Sequence, residues 1–108
     1  MLTEEEKRAI RKDFGDVANM PPGKLERWLA SPESAAAGKR SRSADPRVGQ
    51  RIVQLKRTKM DDLLESDYAH MQEVVSHLRK RIARKPGDAA KRAAWRAALM
   101  NWGNDPDA

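Results

Sequence analysis

The stretch Asn101-Trp102-Gly103-Asn104-Asp105-Pro106 decides the fold, because it joins a helix stop to a large aromatic side chain. Gly103 is the residue type expected just past a helix end, and Pro106 stands where a helix can no longer continue. Trp102 lies one residue before that stop, in phase with Ala94, Trp95, Ala98 and Leu99. The spacing predicts a docked last helix whose indole closes a core.

Toward the N-terminus the same periodicity recurs. Thr3 with Glu6 three residues later is a capping box, in which hydroxyl and carboxylate each satisfy a free backbone donor. Ile10, Phe14 and Val17 then face inward while Lys7, Arg8, Arg11 and Lys12 stay in water. Gly15 weakens the end of that helix. Pro22 suits a first helical position; Leu25, Trp28 and Leu29 form one apolar edge, and Ser31-Pro32 is a stop. From Ser31 to Pro46 the residues are small, polar or charged, without periodic apolar positions, which predicts a mobile loop. Lys39, Arg40 and Arg42 would make it a flexible basic arm. A third helix is expected from Arg47 to Lys59 around Val48, Ile52, Val53 and Leu55. A fourth, capped by Ser66, carries Tyr68, Met71, Val74, Val75, Leu78 and Ile82 and ends at Pro86-Gly87. Asp88 caps a fifth, alanine-rich helix. No segment alternates as strands do. The expectation is an all-α domain over residues 1–108, a compact bundle of four to five helices, with residues 31–46 as one long mobile basic loop.

Composition narrows the function classes. A chain of 108 residues reads as one domain able to bury about two-thirds of its unfolded surface. Cysteine is absent, which excludes disulfide frameworks, thiolate zinc sites and cysteine nucleophiles, and suits a reducing compartment. No apolar run approaches the ~18 residues of a membrane span, and Glu4-Glu5-Glu6 is acidic where a secretory signal would be positive. A cytoplasmic protein is expected, with no membrane partner.

Charge is more informative than its total of +6. Residues 1–38 hold six Lys/Arg against seven Asp/Glu, whereas Lys39 to Lys59 holds eight against Asp45 alone. Met60 to Leu78 carries five acids and no Lys or Arg. Arg79 to Arg92 then carries seven bases against Asp88. Two basic blocks flanking an acidic one, at a pI near 10.0, make an electrostatic footprint that attracts polyanions. Solvated helix faces and a basic linker would give the same pattern.

Few constellations suggest chemistry. His70, Glu73 and His77 span about 60° of one helix face, but there is no Cys, no His-x-x-x-His pair and no zincin motif, so no metal site is inferred. Helical projection instead groups His77 with Lys80, Arg81 and Arg84 as an exposed basic surface. Asp61-Asp62-Glu65-Asp67 lacks the glycine turn and oxygen spacing of a calcium loop. The chain has no Gly-x-Ser-x-Gly and no phosphate-cradling glycine loop, so neither an enzyme, a cofactor nor a small-molecule substrate is expected. Trp28, Trp95 and Trp102 each fall in an apolar stripe, which favours packing over base stacking.

Trp95-Arg96 with Leu99-Met100-Asn101-Trp102-Gly103 and Asp105-Pro106 resembles the closing signature of a bacterial and fungal family termed domain of unknown function 3140. Leu25-Glu26-Arg27-Trp28-Leu29, Gly49-Gln50-Arg51-Ile52-Val53, and Tyr68-Ala69-His70-Met71 with Val74-Val75 agree with it, so the resemblance runs from about Val17 to Pro106. One departure lies at Pro21-Pro22-Gly23, where the family more often shows Ser or Thr before a single proline. Some members carry the label DNA-binding protein, so the resemblance implies DNA binding without a defined activity. The expected function is contact with the DNA phosphate backbone, without sequence-specific readout. Arg47, Arg51, Arg57 and Lys59 of the third helix, Lys80, Arg81 and Arg84 of the fourth, and Lys39, Arg40 and Arg42 of the arm are the candidate contacts, and such a protein would be nucleoid-associated. The alternative is a protein-interaction or homo-oligomeric module burying Met20, Met60 or Met71 across subunits, with no nucleic-acid role.

Overall fold

The first helix follows from its start signal. In the computed structural model, which describes residues 1–108, Thr3 accepts from the Glu6 N–H and Glu6 accepts from the Thr3 N–H, opening α1 (Glu4–Val17). Its Ile10 and Phe14 are buried. Gly15 does not end it. Next come α2 (Pro22–Leu29), α3 (Pro32–Arg40), α4 (Pro46–Arg57), α5 (Glu65–Ile82) and α6 (Ala89–Met100), with single 3-10 turns at Arg42–Ala44 and Met60–Asp62 and no strand. The fold is all-α, with six helices rather than four or five.

The additional helix corrects the reading of residues 31–46. Ser31 is not a stop: its Oγ accepts from the Ser34 N–H and caps α3, with Pro32 at the first helical position. Glu33 lies in the first turn and Lys39 and Arg40 in the last, each complementing the helix dipole. Ser34 and Ala37, one turn apart, are the buried residues. Small and polar side chains bring this helix close to α6, so its inward face has no hydrophobic period. The segment is therefore not one long loop, and Lys39 and Arg40 stand in the last turn of a helix.

Other boundaries move less. No side chain caps α2 at Pro21. The third expected helix is α4, which stops at Arg57, leaving Lys59 beyond it. Ser66 is not the cap of α5; Leu64 precedes that helix, and its N–H donates to Asp67 Oδ2 at 2.9 Å. Asp88 does cap α6, accepting from the Lys91 N–H.

Helix α1 lies along α5, α2 along α4, and α3 against α6. One core joins Phe14, Leu25, Ile52, Tyr68, Val74, Leu78 and Leu99, with all three tryptophans partly buried at its edge. The last turn locks this arrangement. Gly103 has φ +83°, and the N–H groups of Gly103 and Asn104 donate to the carbonyls of Met100 and Leu99, both at 3.0 Å, which satisfies the free end of α6. Asn104 Nδ2 donates to the Val17 carbonyl, and Asn19 exchanges two bonds with the Asp105 backbone. The closing hexapeptide thereby fastens the α1–α2 junction to the end of α6.

Candidate nucleic-acid interface

One buried amide positions the basic segment. Asn101 Oδ1 accepts from Trp28 Nε1 at 2.7 Å and Ser34 Oγ at 2.6 Å, and its Nδ2 donates to the carbonyls of Ser34 at 3.0 Å and Ala44 at 2.6 Å. Both donors and both lone pairs are used. A single fully buried side chain thus ties α2, α3 and the 42–44 turn to the end of α6. Gly49 of α4 makes room for the Asn101 backbone and the Leu29 side chain. A Cβ there would stand 2.5 Å from the Asn101 carbonyl oxygen and 2.7 Å from Leu29 Cδ2.

A second set of bonds attaches the 42–44 turn to α5. Trp102 Nε1 donates to the Ser43 carbonyl, Arg81 Nη2 donates to Ser43 Oγ, and Trp95 Nε1 donates to the Arg81 carbonyl at 2.7 Å. Trp102 also stacks on His77, with ring centroids 3.8 Å apart and planes 16° from parallel. His77 is consequently partly buried rather than a free member of a basic surface. Burial and then the neighbouring Arg81 and Lys80 charges push its pKa down. No group of three or more His, Asp or Glu side chains is placed to hold a metal ion.

A cleft of about 500 Å³ lies between the end of α3, the end of α5 and the Lys91–Ala98 stretch of α6. Arg40, Arg81, Arg84 and Lys91 are its four charged lining residues, and no carboxylate lines it. Lys39 and Arg42 are exposed beside Arg40 in sequence, and Lys80 is exposed on α5. Three of the ten expected contacts, Arg40, Arg81 and Arg84, therefore line one cleft, whereas Lys80 lines separate recesses with Asp13 and Glu73. Lys91 was not among the expected contacts. The signal for it was its place in the second basic block, one turn after the Asp88 cap.

The α4 residues stand differently. Arg47 Nη2 pairs with Asp45 Oδ2 at 2.7 Å, Arg57 Nη1 with Glu26 Oε2 at 2.8 Å, and Arg51 Nη2 with Asp67 Oδ1 at 3.7 Å. The Asp45 hydrogen bonds raise the Arg47 pKa, and the same bonds hold the Asp45 carboxyl below its ordinary range. Lys59 is exposed after α4, immediately before the acidic 3-10 turn containing Asp61 and Asp62. Lys56 of the same helix lies 5.3 Å from the Phe14 ring centroid, and burial pushes its pKa down. Neighbouring carboxylates thus offset much of the positive charge along α4, whereas the α3–α5–α6 cleft keeps its charge uncompensated.

No curated protein and no solved structure matches this chain. A family model does, over residues 13–100. The match includes every cleft cation and ends one residue before Asn101, so the closing hexapeptide lies just outside it. The chain belongs to the family described as Protein of unknown function (DUF3140).

Proposed function

We propose that this protein binds DNA through its phosphate backbone, with the α3–α5–α6 cleft as the centre of contact. The observation that carries this reading is the convergence of Arg40, Arg81, Arg84 and Lys91 on one cleft without a lining carboxylate. Burying or crowding like charges costs free energy unless an anion relieves it, and a chain of phosphates supplies anions at regular spacing. Arginine suits the role because its planar fork meets two phosphate oxygens at once. Lys39 and Arg42, exposed on either side of Arg40 in sequence, would add further phosphate contacts. Such contacts recognise the backbone and carry no base sequence. A nucleoid-associated location in the cytoplasm accompanies this reading.

Gel-shift titration of mixed-sequence duplex at several salt concentrations tests it. Four phosphates neutralised at the cleft give a slope of about −3 to −4 in log affinity against log salt. No retardation at low salt would reject the proposal.

One observation favours a second reading, self-association. Met60 and Leu64, four residues apart in the connection before α5, are 57% and 65% exposed. Of the three methionines expected to serve such an interface, Met20 and Met71 lie in the chain's own core, so Met60 alone remains available. Sedimentation at high salt separates the readings, because apolar association survives salt that disrupts phosphate contacts.

A further inference from the structure

The cleft has a floor as well as a charged rim. Ala94 and Ala98, one turn apart on α6, line it beside the indole of Trp95. Small side chains at both alanines leave the volume open. The Trp95 ring is held in place by the bond from its Nε1 to the Arg81 carbonyl. It also lines the neighbouring cleft that contains Lys85, Arg92 and Arg96 together with Asp105 and Asp107, so the indole stands as a wall between a cationic recess and one of mixed charge. Lys85 Nζ lies 6.0 Å from its ring centroid.

A phosphate group satisfies the rim of this cleft and gains nothing from its floor. An aromatic base with a phosphate attached suits both. The volume of about 500 Å³ falls within the ~300–1,000 Å³ range of small-ligand recesses. Asp88, the nearest acid in sequence to Lys91, caps α6 through the Lys91 N–H and does not line the cleft. Resting on the DNA-binding reading above, we infer that the α3–α5–α6 cleft receives an unpaired nucleotide of a DNA strand, with its base on the Ala94–Ala98–Trp95 floor and its phosphates on Arg40, Arg84 and Lys91. A paired and stacked base has its faces covered by its neighbours and reaches only the rim. The cleft therefore favours single strands, or duplex positions where a base is already unstacked.

The test compares three probes at one salt concentration: an oligothymidine strand, an abasic strand of the same length, and a duplex. The two single strands have the same backbone charge and differ in their bases. Fluorescence anisotropy is expected to show the thymidine strand binding about tenfold more tightly than the abasic strand, the scale of one base stacked on an aromatic side chain. Ala94→Leu fills the floor without removing a cation. It should bring the thymidine strand down to about the abasic affinity. Circular dichroism confirms that the variant folds, and the comparison of strands on the unmodified protein does not depend on it. Equal affinity for the two single strands, with duplex still bound, overturns the nucleotide inference alone. Failure of all three probes to bind at low salt overturns the DNA reading together with it.

Discussion

Replacing Asn101 tests whether one buried amide holds the α3 segment in place. In Asn101→Ala the Trp28 indole N–H and Ser34 hydroxyl lose their acceptor, and the Ser34 and Ala44 carbonyls lose their donors. An unsatisfied buried group costs about 1–3 kcal/mol. The Ser34 hydroxyl can rotate and water can reach the half-open Trp28, so a total of about 3–5 kcal/mol is expected rather than four full penalties. That is a large share of the ~5–15 kcal/mol that stabilises a small domain. Asn101→Asp sharpens the test. The carboxylate still accepts from Trp28 and Ser34, but it presents an oxygen to the carbonyls where the amide presented N–H. At neutral pH a buried charge then faces two carbonyl oxygens, and the loss should equal or exceed that of alanine. The new carboxyl should have a raised pKa. Its protonated form donates to one carbonyl, so part of the loss should be recovered between pH 7 and about pH 5. Urea denaturation followed by far-ultraviolet circular dichroism reads both variants. Stability within about 1 kcal/mol of the unmodified protein for either variant at neutral pH would refute the reasoning.

Three further perturbations address the same framework. Gly49→Ala places a methyl against the Asn101 carbonyl and Leu29, and should cost about 1–3 kcal/mol by urea denaturation. Trp102→Ala removes the stack on His77 and the bond to Ser43, and about 2–3 kcal/mol is expected because the ring is only partly buried. A change under about 1 kcal/mol there would show that the 42–44 turn does not depend on it. His77 and His70 both have pKa values pushed below the ordinary 6.5, with burial the largest cause. Their neutral forms are favoured by folding, so stability should be complete above about pH 6.5 and decline as pH falls through the lower folded values. His77→Phe should flatten the urea midpoint between about pH 7.5 and pH 5.5; an unchanged slope would contradict the assignment.

Local signals with backbone consequences were legible in the sequence. The Thr3–Glu6 capping box, the Asp88 cap and the Gly103 stop all appear as read. Helix α3 was not legible, because its inward face is Ser34 and Ala37 against a polar hub, and apolar periodicity cannot reveal packing built from small and hydrogen-bonded residues. The candidate site divides in the same way. The two basic blocks were visible as charge runs, but their fates depend on partners distant in sequence. Ser43 draws Arg81 toward the 42–44 turn, while Glu26 and Asp67 offset Arg57 and Arg51. Asp45, two residues before Arg47, was the one such partner within local reach.

Charge reversal in pairs tests most directly whether a defined cleft, rather than total charge, binds DNA. Arg84→Glu with Lys91→Glu changes two cleft cations, Arg51→Glu with Arg57→Glu changes two residues already paired to carboxylates, and Lys7→Glu with Arg11→Glu changes α1 beside Glu4 and Tyr68. All three pairs make the same change in net charge. Duplex affinity measured across a salt series should fall furthest for the cleft pair, with its salt slope reduced by about two. The α4 pair should lose less and the α1 pair least. Equal losses from all three pairs would contradict a defined cleft.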